Sequence, residues 1–171
     1  MHPLSWNSLQ PFGGLPSGVQ VYVGFSQHSG GLSLGWRVEG DLDLVQWETQ
    51  AGQENLWEQT CFEAFFQTTE HPMYYELNVS PEKEWKLYQL AGYRTGRCSV
   101  SEIPLALHVD RTPALFHLQV DLLGNWPSIQ RNALTAILYL QESPTYWAHT
   151  HAPERPDFHA HFSEPLLEAS Q

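Results

Sequence analysis

The chain has 171 residues, a length that a single domain spanning 1–171 accommodates, and its 42% hydrophobic and 13% aromatic content excludes an intrinsically disordered chain. Nineteen acidic residues against eight basic ones give a formal charge of -11, a field that repels phosphate backbones and anionic lipid surfaces and so argues against a nucleic-acid or membrane-surface partner. No apolar run reaches the ~20 residues of a bilayer span, and residues 1–15 hold no basic cluster followed by an apolar core, so a cytoplasmic protein is the expectation.

Period-two patterning dominates the chain from residue 19 onward. Val19, Val21, Val23 and Phe25 alternate with polar or small residues, as do Leu32, Leu34, Trp36 and Val38. These two runs read as a hairpin closed by Gln27-His28-Ser29-Gly30-Gly31, whose residues suit a turn. Residues 43–59 form a long loop with Trp47, Trp57 and a Gln/Glu/Gly-rich middle. Three further strands follow at 61–67, 74–80 and 85–90, a meander with turns at His71-Pro72 and Pro81-Glu82-Lys83-Glu84. Residues 94–111 are mixed and contain proline. Two more strands are expected at 115–122 and 133–140, a last one at 146–150, and a short terminal helix at 164–168. About eight short strands without a convincing amphipathic helix predict an all-β domain, a two-sheet antiparallel β-sandwich of jelly-roll type, with a closed β-barrel as the alternative. Cys61 and Cys98 lie far apart in sequence and read as reduced thiols rather than a bridge.

Alternation also assigns faces. In 74–80, Tyr75, Leu77 and Val79 point to the core, and Tyr74, Glu76, Asn78 and Ser80 point away from it. In 61–67, Phe62, Ala64 and Phe66 take one side and Cys61, Glu63 and Phe65 the other, which brings Glu63 beside Glu76 or Asn78 if the strands pair. His117, Gln119 and Asp121 align likewise. Carboxylates, amides and an imidazole on one sheet face supply the donors and acceptors that read sugar hydroxyls or another polar ligand, although a plain solvated face looks the same in sequence. Trp57, Trp85 and Trp147, with Tyr88, Tyr93 and Tyr146, are candidates for stacking on a sugar ring. Trp36 sits on an apolar strand face and is expected in the core.

Two other chemistries are open. His149, His151, His159 and His161 form two H-x-H pairs that, with Asp157, have the residue types for a divalent metal. Glu63 with Glu76 has the residue types of an acid–base pair, although the chain contains no G-x-S-x-G, P-loop or G-x-G-x-x-G motif.

The run WEQTCFEAFFQTTEHPMYYELNVSPEKEWKLYQLAGYR, residues 57–94, resembles the central block of DOMON-like domains related to family 9 carbohydrate-binding modules. It places an acidic residue, Glu63, inside an aromatic strand, follows it with a Y-x-x-N-x-S strand at 75–80, and then with an aromatic strand around Trp85. SPTYWAHTHAPERPDFHAHF, residues 143–162, is similar to the closing segment of small stand-alone bacterial members. The resemblance implies a β-sandwich whose relatives bind sugars or haem, here as a non-catalytic module with no obligatory cofactor. For a sugar it implies Trp57 and Trp147 as a stacking pair, Glu63, Glu76 and Asn78 as the hydrogen-bonding group, and Arg94 as the candidate for the arginine beside the ring. For haem it points to Met73 and a histidine as axial ligands.

Overall fold

The structure is a computed structural model that describes residues 3–14, 18–52 and 54–162. In chain order its strands are β1 (Asn7–Ser8), β2 (Gln10–Pro11), β3 (Val19–His28), β4 (Gly31–Gly40), β5 (Cys61–Thr68), β6 (Tyr74–Val79), β7 (Trp85–Leu90), β8 (Cys98–Ser99), β9 (Leu105–Arg111), β10 (Leu115–Leu123), β11 (Ile129–Leu140) and β12 (Ser143–Ala148). They form two antiparallel sheets, one of five strands in the order β1-β3-β4-β10-β9 and one of seven in the order β2-β12-β11-β5-β6-β7-β8. Each sheet keeps two free edges, so the arrangement is a sandwich and the closed-barrel alternative falls. Among the described residues no helix is long and apolar enough to cross a membrane.

The core lies between the sheets and follows from the alternation. Val21, Val23, Leu34, Trp36, Val38, Phe116, Leu118 and Val120 come from one sheet, and Phe62, Ala64, Phe66, Leu77, Val79, Leu134, Ala136 and Trp147 from the other. Phe62 stacks on Phe116 with ring centroids 5.2 Å apart, and the Trp36 indole, fully buried as expected, donates from Nε1 to the Thr135 carbonyl at 2.9 Å. This bond crosses between the sheets and pairs a buried donor that would otherwise be costly. On the outer face of the five-stranded sheet, Gly24 and Gly35 lie opposite each other, and a Cβ on Gly35 would come within 2.4 Å of Leu4 and 2.8 Å of Trp6. The N-terminal segment therefore packs directly on backbone there.

Four sequence expectations change. Residues 105–111, read as mixed, form the edge strand β9, the strand expected at 133–140 runs Ile129–Leu140, and the last strand is Ser143–Ala148 rather than 146–150. His117, Gln119 and Asp121 lie on β10, in the other sheet from Glu63 and Glu76, so they face outward on the opposite side of the sandwich. The proposed terminal helix at 164–168 lies outside the described residues. Both cysteines are free, Cys61 buried and Cys98 exposed.

Candidate functional site

The central strands of the seven-stranded sheet, β5 and β6, are buried on both faces. Every residue of β5 is buried, although only Phe62, Ala64 and Phe66 of its central residues point into the sandwich. Its outer face carries a second apolar cluster of Phe65, Tyr74, Tyr88, Leu90, Ile137 and Ala148, covered by Phe158 and Phe162 from the segment after β12. The cover is incomplete. Beneath it lies a cavity of about 460 Å³ lined by Trp57, Glu63, Glu76, Leu90, Arg94, Arg97, Ile137, Tyr146, Pro156, Phe158 and His159.

Strand register builds the floor. Glu63 pairs with Asn78 across β5–β6, and Phe65 with Glu76, so the two glutamates lie diagonally on one face. Both carboxyls are almost entirely shielded from solvent. Burial and the neighbouring Glu76 push Glu63 well above the usual carboxylate range, against the pull of Arg94. Burial also raises Glu76, opposed by a 2.8 Å hydrogen bond donated by Asn78 Nδ2 and by the positive charges of Arg97 and Arg94. The negative charge of Glu76 thus opposes ionisation of Glu63, while Asn78 and the two arginines draw Glu76 toward its carboxylate form.

The walls come from three connections. A short 3-10 turn, Leu56–Glu58, anchors Leu56 in the interior and turns Trp57 to the cavity. The turn after β7 holds Arg94 at a positive φ of 53°, uncommon outside glycine, and presents Tyr93, Arg94 and Arg97 on one side. The segment after β12 supplies Asp157, Phe158 and His159. Asp157 bolts these last two pieces together, accepting from Arg94 Nη2 at 2.9 Å, from the Tyr93 hydroxyl, and from the His159 backbone N–H at 3.1 Å. Burial would raise the Asp157 carboxyl, but the Tyr93 and Arg94 hydrogen bonds outweigh it and hold it below its ordinary value.

His159 is tied to the turn after β7 through Tyr74. The Tyr74 hydroxyl accepts from the Arg94 backbone N–H at 3.2 Å and shares a 2.8 Å hydrogen bond with His159 Nδ1, whose direction follows the imidazole tautomer. Burial and the Arg94 charge lower the imidazole pKa to about 4, so the ring is neutral at pH 7. Its Nε2 lies 3.9 Å from Glu76 Oε2, too far for a direct hydrogen bond.

Of the residues singled out from sequence, Trp57, Glu63, Glu76 and Arg94 line the cavity, and Asn78 lies beneath it as the donor that holds Glu76. Trp147 does not line it. Its indole is only 1% exposed, in the inter-sheet core, with Nε1 bonded to Thr145 Oγ1 at 2.9 Å. Neighbours on a strand face opposite ways, and it is Tyr146 that faces the cavity, with its ring 6.1 Å from that of Phe158. Arg97 and Phe158 were missed, because nothing in their local sequence pattern marks them.

The histidines do not gather. His149 is exposed, His151 donates from Nε2 to the Gln10 carbonyl at 2.8 Å and packs on Phe12, and His159 sits in the cavity; the side chain of His161 lies outside the described residues. Among the described residues no three His, Cys, Asp or Glu side chains converge in a way that fits a metal ion. Met73 lies half-buried just before β6 and is not among the residues lining the cavity, so it makes no axial pair with His159 there, and the residues present do not fit haem.

No protein-family model matches this chain, and no curated protein matches it in sequence. Solved structures do match in fold. A Bacteroides uniformis protein described as a candidate carbohydrate-binding protein superposes over 92% of this chain and 82% of its own, with a TM-score of 0.66 and 13% identity. A family 9 carbohydrate-binding module from Caldicellulosiruptor kristjanssonii, solved with glucose, superposes over 88% of this chain and 76% of its own at a TM-score of 0.51 and 8% identity. The same kind of module solved with cellotriose gives 0.51, 8% identity, and 88% and 74% coverage. At these identities the likeness establishes a fold similar to that of family 9 carbohydrate-binding modules.

Proposed function

We propose that this protein is a non-catalytic module that binds a carbohydrate in the cavity on the outer face of the seven-stranded sheet. One observation carries the reading: a cavity of about 460 Å³ that sets the hydrogen-bonding groups Glu63, Glu76 and His159 between aromatic walls. Trp57 and Tyr146 offer flat faces to a pyranose ring. Glu76, held by Asn78, accepts from hydroxyls; Glu63, whose burial favours the neutral acid, and the His159 imidazole can each donate or accept. The 3.9 Å gap between His159 Nε2 and Glu76 Oε2 suits a bridging hydroxyl that accepts from one and donates to the other. A neutral imidazole beside a carboxylate pays less desolvation than an ion pair would, and the bound hydroxyl completes both groups. The fold likeness to modules solved with glucose and cellotriose supports the same reading.

Isothermal titration of the full chain against glucose and cello-oligosaccharides tests it. Saturable binding that falls at least tenfold in Trp57→Ala and in Glu76→Ala is expected, and the absence of heat with every sugar would sink the proposal.

A second reading, acid–base catalysis by Glu63 and Glu76, draws on the raised Glu63 carboxyl. Turnover of aryl glycosides by the wild-type chain, abolished in Glu63→Gln, would establish it in place of simple binding.

A further inference from the structure

Arg97 has a place in the cavity that hydroxyl recognition leaves unexplained. Its guanidinium lies 5.2 Å from the Trp57 ring centroid and 4.6 Å from that of Tyr88. Stacking of this kind uses the flat face of the guanidinium and leaves the N–H donors around its edge free for a planar anion. Among the described residues Arg97 has no ion-pair partner, whereas Arg94 is held by Asp157 and Arg37 by Glu39. Arg111 stacks on Trp47 in the same manner, so stacking alone is no site. Arg97 differs because it also lines two adjoining cavities, the one floored by Glu63 and Glu76 and a second of about 510 Å³ that includes Glu54, Trp85, Ser99 and Ser101.

The three cations near the two cavities are placed differently. Arg94 is held by Asp157, and Lys86 in the second cavity donates to the Glu54 carbonyl at 2.7 Å. Arg97, whose charge acts on Glu76 at the floor, is exposed at the mouth and among the described residues has no ion-pair partner. In a chain with nineteen acidic and only eight basic residues, a guanidinium fixed between two aromatic rings at a cavity mouth is a local reversal of the overall field.

Resting on the carbohydrate reading above, we infer that the ligand is a pyranose carrying an anionic exocyclic group, a carboxylate or a phosphate, which Arg97 takes through two parallel N–H···O bonds while the ring hydroxyls meet Glu76 and His159. Contact with the two rings restrains the Arg97 side chain before a ligand arrives, so less side-chain entropy is lost on binding.

Titration calorimetry of the full chain with glucose, glucuronate and glucose 6-phosphate, at pH 7 and low salt, tests the inference. At least one of the two anionic sugars should bind about tenfold tighter than glucose, and the advantage should shrink as salt is raised. The ratio of anionic-sugar to glucose affinity should fall to about one in Arg97→Gln and partway in Arg97→Lys, which keeps the charge but not the fork. Circular dichroism of both variants checks that the fold is intact. Which anion gains tells a carboxylate-bearing ligand from a phosphorylated one. Glucose binding as tightly as both anions, or a preference that survives in Arg97→Gln, overturns the role of Arg97 and leaves the carbohydrate reading standing. Failure of all three sugars to bind removes that reading, and this inference with it.

Discussion

The two faces of β5 and β6, at the centre of the seven-stranded sheet, are buried to a similar degree and filled in opposite ways. On the inner face Phe62, Ala64, Phe66, Leu77 and Val79 meet a complementary sheet and leave no polar group to satisfy. On the outer face the same two strands present Glu63, Glu76 and Asn78 beneath a cover made of one short turn and one irregular segment, and a cavity remains. Burial closed by a second sheet stabilises the fold, whereas burial closed by loops leaves desolvated polar groups waiting for a partner. The contrast locates the candidate site better than any single residue does.

The sharpest way to break the comparison is to remove one tryptophan from each face. Trp147→Ala should cost about 3–5 kcal/mol of stability by opening a hole in the inter-sheet core, read as a shift in the denaturant midpoint. Trp57→Ala, on the cavity wall, should change stability by less than about 1 kcal/mol and act on ligand binding instead. Equal losses would mean that the two faces are not energetically distinct.

Acid titration comes next in size. His159 has a folded pKa of about 4 against an ordinary 6.5, so between these values the unfolded chain takes up a proton that the folded chain refuses. Stability should therefore fall as pH drops from 6.5 to 4, by up to roughly 3 kcal/mol, and His159→Gln should flatten that slope in pH-dependent unfolding curves.

Glu63 has the opposite sign. Its folded pKa is raised, so above the ordinary 4.5 the unfolded chain releases a proton that the folded chain keeps, and wild-type stability falls as pH rises through that window. Glu63→Gln should raise stability by about 0.5–2 kcal/mol at pH 7, with the gain vanishing below pH 4.5, while ligand affinity is lost. A variant that is less stable at pH 7 would show that the carboxyl is structurally satisfied and not held for a ligand.

Much of the fold was legible because strands announce themselves by alternation. The hairpin of β3 and β4 and the meander of β5, β6 and β7 were readable within a residue or two, as was the outward direction of Glu63, Glu76 and Asn78. β9 carries a period-two signal, with Leu105, Leu107 and Val109 packed on the core and His108 and Asp110 exposed, but it was passed over because it follows Pro104 in a mixed stretch and is an edge strand with one poorly buried face. The Trp147 assignment failed for a related reason: Tyr146 and Trp147 are adjacent aromatics, both faces of β12 are half-buried or better near them, and composition cannot say which of two large apolar neighbours points inward. Arg97, Asp157 and Phe158 belong to connections, where position follows from tertiary packing and not from a period. The histidine pairs looked like metal ligands because H-x-H spacing is the same whether the segment is a strand or, as after β12, an irregular run.

The Asp157 bolt also sets an order of events during synthesis. Strands β3 to β10 contain both sheets' central members, yet the carboxylates of β5 and β6 stay uncovered on one side until the segment beyond β12 arrives to bring Asp157 against Tyr93 and Arg94. Closure of the cavity thus depends on residues 157–159, which are made after both strands that carry its glutamates.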